Sequence, residues 1–160
     1  EGASNLIWIY HMNAESQPSE PWNNRTAYYP GDEYCDLIAV SLYGTKKPFE
    51  TTAKDFSEEM TDIFAELDTE SIHKPVLLFT GTDVKNRFVD PSELINYVFT
   101  SLSENSWPTV KGIIWLNTAW KNDDNPLHDT SMRLQDNTIA GDTFSSAIRN
   151  VKIQDSFSCL

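Results

Sequence analysis

The residues of this chain that could bind or transform a ligand gather at the ends of short apolar runs. Leu37 to Val40 leads into Ser41, Tyr43 and Gly44. Val76 to Phe79 leads into Thr80, Gly81, Thr82 and Asp83. Gly112 to Leu116 ends at Asn117, and Leu6 to Tyr10 gives way to a polar segment that opens at His11. Hydroxyl, phenol and carboxylate groups in such places are suited to hold polar ligands, because parallel-sheet folds set their chemistry at the C-terminal ends of strands. Other chemistries find less support. Asn122-Asp123-Asp124-Asn125, with Asp129 nearby, lacks the D-x-D-x-D-G spacing of a calcium loop and fits a solvated loop better. His11, His73 and His128 show neither paired nor clustered ligand spacing, so no zinc site is expected. The chain has no Gly-x-Ser-x-Gly elbow and no glycine-rich phosphate loop, and no cofactor is expected.

The elements that would position these residues follow from the apolar pattern. Leu37 to Val40 is short, does not alternate and is bounded by turn residues, which is the pattern of a strand buried on both faces. The apolar runs begin about 30 to 40 residues apart, room for a strand, a loop and a returning helix. Phe56, Met60, Ile63, Phe64 and Leu67 predict one apolar face of a helix. Asp90-Pro91-Ser92-Glu93 is a helix start, followed by the stripe Leu94, Ile95, Val98, Phe99 and Leu102. A weaker last helix carries Phe144, Ala147 and Ile148 and extends towards Val151. Between Asn13 and Tyr34 no helix is expected, only a turn around Gly31 to Cys35. The pattern predicts four consecutive βα units with parallel, adjacent strands, half of a (β/α)8 barrel. Such a half alone would expose two sheet edges and one side of its interior. The alternative is a complete small α/β domain with an interaction role.

Size and charge narrow the function. The 160 residues suit one domain, and 12% aromatic residues argue against disorder. A net charge of −12 leaves no basic surface for nucleic acid and serves solubility. No apolar stretch approaches the ~20 residues of a membrane span. Neither a signal peptide nor a basic targeting segment opens the chain, so any such segment is expected to have been removed. The sequon Asn24-Arg25-Thr26 lies in a polar loop where a glycan could project, and it points to secretion.

A resemblance joins several of these pieces. Tyr29-Pro30-Gly31-Asp32-Glu33-Tyr34 with Asp36, then Ser41-Leu42-Tyr43-Gly44, resemble the C-terminal half of glycoside hydrolase family 26, the β-mannanase family. Trp107-Pro108, Lys111-Gly112-Ile113, Trp115-Leu116-Asn117, Trp120, Asn122-Asp123-Asp124 and Met132-Arg133 continue the resemblance over nearly the whole chain. It implies that residues 1–160 are the last four βα units of a (β/α)8 TIM barrel, completed by another segment or chain. The family hydrolyses β-mannans or other β-glucans with retention, which needs two carboxyl groups ~5 Å apart. The family's acid/base glutamate would lie upstream of Glu1. At the nucleophile's position stands Thr80, which has no carboxylate to attack the anomeric carbon, so no catalytic residue is expected. Asp83, with its shorter arm, would need a rearranged loop to serve instead.

The resemblance implies that Tyr43 sits beside the nucleophile position and that Trp115 floors the central sugar subsite. His11, Asn13, Trp22 and Trp120 are further candidates to line a cleft by stacking and hydrogen bonding. In the barrel so implied, Cys35 and Cys159 emerge on the same face. They could bridge in an oxidising compartment, or Cys159 could pair with another chain. The expected function is a secreted, acidic glycoprotein and pseudoenzyme, a carbohydrate-binding or structural part of a larger assembly. Its expected partners are a β-linked polysaccharide or oligosaccharide and the segment that supplies the rest of the barrel. The competing reading is an active endo-β-mannanase whose N-terminal half is supplied separately.

Overall fold

The computed structural model describes residues 5–151. Four strands, β1 (Ile9–Asn13), β2 (Leu37–Ser41), β3 (Val76–Thr80) and β4 (Val110–Trp115), form one parallel sheet in the order β1-β2-β3-β4. Strands that follow one another in the chain are neighbours in the sheet, the arrangement of one side of a (β/α)8 barrel. Helices α1 (Phe56–Thr69) and α2 (Pro91–Ser103) return the chain from β2 to β3 and from β3 to β4, and α3 (Thr138–Ile148) follows β4. The β1–β2 connection holds only a 3-10 turn at Pro21–Asn23. The chain is thus a leading strand and three βα units, where four units were expected.

The helices start and stop for local reasons. Asp55 accepts hydrogen bonds from the backbone N–H of Ser57 and Glu58, Asp90 from that of Ser92, and Asn137 from that of Ala140. Pro91 takes the first helical position of α2, where its missing N–H costs nothing. Helices α1 and α2 end alike. Ser71 and Asn105 adopt left-handed φ values of 58° and 56°. Ile72 N–H then reaches back to the Leu67 carbonyl, and Ser106 N–H to that of Ser101.

Strand alternation divides the sheet into two unlike faces. Ile38, Val40, Val76, Leu78 and Ile113 pack with Phe56, Met60, Ile63 and Leu67 of α1 and Val98 of α2 in the main core. A second cluster joins Val84, Ile95 and Phe99 to Trp115, Ala140 and Phe144 beneath α3. The opposite face carries Ile9, His11, Ala39, Ser41, Leu77, Phe79 and Ile114, which the register sets side by side. Ile9 and Ile114, on the two edge strands, are 44% and 40% exposed, and Leu77 and Phe79 are half-buried. Gly112, the partner of Leu77, leaves this face room, since a Cβ there would meet the Leu77 side chain at 2.8 Å.

The first strand departs from its sequence pattern. The apolar run Leu6 to Tyr10 predicts a strand, yet β1 lies three residues further on, and Leu6, Ile7 and Trp8 are more than half exposed. The last helix begins at Thr138, six residues before its first predicted apolar contact, and Val151 lies beyond its end. A two-stranded antiparallel ribbon, β5 (Ala119–Trp120) with β6 (Thr130–Ser131), is too short to have a period of its own.

The left-handed Ser71 stores backbone strain that glycine would relieve. Ser71→Gly should raise stability by about 0.5–1 kcal/mol, net of the entropy lost on ordering glycine. Thermal unfolding measures this, and a lowered midpoint would contradict the assigned helix end.

Candidate functional site

The C-terminal ends of the four strands and the loops beyond them form a rim around the open face. His11 on β1 shares a 2.8 Å hydrogen bond through Nε2 with Ser41 Oγ on β2. The same imidazole stacks on Phe79 of β3, with ring centroids 4.8 Å apart. Three strands thereby place an imidazole, a hydroxyl and an aromatic ring in one layer of the open face. Asn13 pairs in register with Ser41 and is exposed. Tyr43 follows two residues beyond Ser41, half-buried, with the Lys46 ammonium 6.0 Å from its ring centre.

The loops after β2, β3 and β4 are stitched together. Gly44 N–H donates to the Gly81 carbonyl (2.9 Å), Asp83 N–H to Thr45 (2.7 Å) and Val84 N–H to Ser131 (2.7 Å). Thr45 and Thr82 share a buried hydroxyl–hydroxyl bond of 2.9 Å. Trp120 donates its indole N–H to Asn122 Oδ1. Asn122 in turn donates to the His128 carbonyl and to Thr130 Oγ1, whose own hydroxyl donates to the Lys46 carbonyl. Through this chain of bonds Trp120 is fixed to the loop that carries Tyr43. His128 Nδ1 meets Asp123 at 2.6 Å, which holds the Asp123 carboxyl below its ordinary range. Ser131 and Arg133 together do the same for Asp136.

Two positions singled out in the sequence lie away from the open face. Alternation along β3 sets Thr80 on the side of Val76 and Leu78, and its hydroxyl is fully buried without a hydrogen-bond partner among the described residues. Trp115 lies on the helix side of β4: its ring meets Phe144 edge-to-face at 5.3 Å and its N–H donates to the Met132 carbonyl. The expected sugar platform is therefore packed into the α2–α3 layer. Trp22 is 62% exposed on the β1–β2 connection. Neither Phe79 nor the His11–Ser41 pair was expected as a unit. Strand alternation carried the signal, once the register was known.

Asp83 is fully buried, and its Oδ1 accepts from the N–H groups of Lys85 (2.9 Å) and Ser131 (3.4 Å). Its Oδ2 has no partner among the described residues. Burial pushes the carboxyl above its ordinary value of 3.8, against the opposing pull of those N–H groups and of Lys85, while Glu50 adds to the rise. Asp83 therefore clamps the loop after β4 to the loop after β3. It offers no free carboxylate to a ligand. Among the described residues no group of three or more His, Cys, Asp or Glu side chains is placed to hold a metal ion.

The N-terminal half of the rim is braced from behind. Arg25 pairs with Glu66 of α1 at 2.8 Å and donates to the Ala14 carbonyl, and Tyr10 donates its hydroxyl to the Arg25 carbonyl. Thr26, also bonded to Glu66, is buried, whereas its neighbour Asn24 is exposed. Cys35 is buried just before β2, and Cys159 lies outside the described residues.

A parallel α/β layer with its polar side chains at the strand ends is compatible with part of a TIM barrel. The family model described as Glycosyl hydrolase family 26 matches residues 1–73, a span consistent with part of a domain of that family. The matched span includes β1, β2, α1 and the rim residues His11, Asn13, Ser41 and Tyr43. No curated protein matches the chain.

Because the folded pKa of Asp83 is raised, the native state binds more protons than the unfolded chain above pH 3.8. The contribution of this group is complete at lower pH and is lost as pH rises through the folded value. Asp83→Asn should flatten that part of the stability–pH profile. Denaturation midpoints across the acid-to-neutral range measure it, and an unchanged slope would contradict the assignment.

Proposed function

We propose that this chain is half of a secreted, barrel-type carbohydrate-binding protein that does not turn its ligand over. The observation that carries this reading is the open sheet face, which ends in His11, Asn13, Ser41 and Tyr43 within the span that matches the family. Imidazole, amide, hydroxyl and phenol groups beside aromatic rings suit the alternating polar and C–H-rich surfaces of a sugar. Trp120, fixed to the same rim, adds a second aromatic surface. Trp115 is left out, because its ring and its N–H are both engaged in packing.

Inactivity follows from the carboxylates. Retaining hydrolysis needs two of them ~5 Å apart across the scissile bond. Thr80 carries no carboxylate and faces the helices rather than the open face, and Asp83 is spent on bonding the rim loops. The protein works instead as a binding or structural component of a larger assembly, in which a further segment or chain covers the open face and pairs with the edges of β1 and β4. Exposed Asn24 supports the secreted reading, with a glycan on this loop. Digestion of the secreted protein with an N-glycan amidase should reduce its mass, and an unchanged mass would remove the glycan.

Incubation with β-mannan should release no new reducing ends, while a mannan affinity gel should retard the protein. Tyr43→Ala should weaken that retention roughly fivefold or more, the loss expected on truncating one aromatic anchor. Robust release of reducing ends would establish the active endo-β-mannanase instead. Undiminished retention of the variant would take Tyr43 out of the site.

A further inference from the structure

A second surface carries ligand chemistry that the rim does not use. Helix α2 packs closely on α3, whereas α1 and α2 stand apart and leave a groove of about 640 Å³ between them. Its floor is aromatic. Tyr97 meets Trp107 edge-to-face at 5.8 Å, Phe64 also lines the groove, and buried Phe56, outside the lining, supports both rings from 6.2 Å. Trp107 is 7% exposed and holds the floor in place, while Tyr97 is 36% exposed and opens to the ligand side. Its walls are polar: Ser57 and Thr61 of α1 face Asn96 and Thr100 of α2.

Charge selects the kind of ligand. Among the described residues that line the groove Glu104 alone is charged, and the chain as a whole carries −12. With no lysine or arginine among its described lining residues, the groove gives a phosphate or an acidic glycan no counter-ion and a repulsive field. Aromatic faces ringed by hydroxyl and amide groups instead suit a neutral, polyhydroxylated ligand whose C–H surfaces stack and whose hydroxyls bond to the walls. From Asn96 to Glu104 the groove follows α2 for about 12 Å, long enough for a short oligosaccharide rather than a single sugar.

We propose that the α1–α2 groove is a second binding site for a neutral oligosaccharide, on the helical side of the sheet and away from the rim. Tyr97 supplies the stacking surface, and Asn96, Thr61 and Thr100 supply hydrogen bonds. The proposal stands on the lining of the groove and not on the reading of the rim.

Calorimetric titration of the native protein with β-1,4-mannohexaose, and separately with cellohexaose, tests it. At least one of the two should bind with a component that Tyr97→Ala and Asn96→Ala each weaken tenfold or more, and that Tyr43→Ala leaves intact. Far-ultraviolet circular dichroism of each variant checks that the fold survives. Binding that is indifferent to both groove variants overturns the proposal, as does the absence of any binding by either sugar. Binding lost in Tyr43→Ala and kept in the groove variants overturns it while leaving the rim site standing.

Discussion

Parallel strands satisfy one another's backbone groups only between neighbours, so a four-stranded parallel sheet leaves two faces and two edges to be closed by something else. Here all the helices that follow the strands lie on one face. Ile38, Val40, Val76 and Leu78 are buried against them almost completely. The other face holds Ile9, Leu77, Phe79 and Ile114 with no helix over it among the described residues. The placement of His11, Asn13 and Ser41 on the uncovered side follows from this asymmetry. A barrel resolves it by curling the same face inwards and pairing the edge strands, which abolishes both liabilities at once.

The rim is stiffer than its loop content suggests. Backbone bonds run from the loop after β2 to that after β3 and on to that after β4, and buried Asp83 and Thr130 tie the side chains in as well. A ligand meeting Tyr43 and Trp120 would have little loop entropy left to remove, which favours binding by a preformed surface. The same stitching engages Asp83, whose buried carboxylate holds two loops together. The α1–α2 groove depends on a different property, a gap between neighbouring helices floored with aromatic rings.

How much of this could be read in advance depended on burial. β2 is legible because Leu37 to Val40 is continuously apolar: Ile38 and Val40 are buried against the helices, and small Ala39 is buried between its neighbours on the open face. Helices α1 and α2 were legible because they carry full apolar stripes and acidic N-caps. The apolar run Leu6 to Tyr10 points to a strand that begins too early: Leu6 to Trp8 are apolar without being buried, while β1 shares only Ile9 and Tyr10 with the run and continues through polar His11 and Asn13 around buried Met12. The direction of Trp115 was illegible for a related reason. A strand that ends in a loop does not declare its parity, and only pairing of Phe79 with Ile114 shows that the next residue turns towards the helices. The buried role of Asp83 had no local signal, since its partner Ser131 lies 48 residues away.

Native mass spectrometry of the purified chain tests the open face most directly. If the uncovered face and edges need a companion, the deglycosylated chain on its own should appear as assemblies of two or more 18.2 kDa chains, or remain in solution only together with the segment that covers it. A monodisperse 18.2 kDa deglycosylated species that unfolds in one cooperative step would contradict the account, because it would show a sheet stable with Ile9, Leu77, Phe79 and Ile114 facing water.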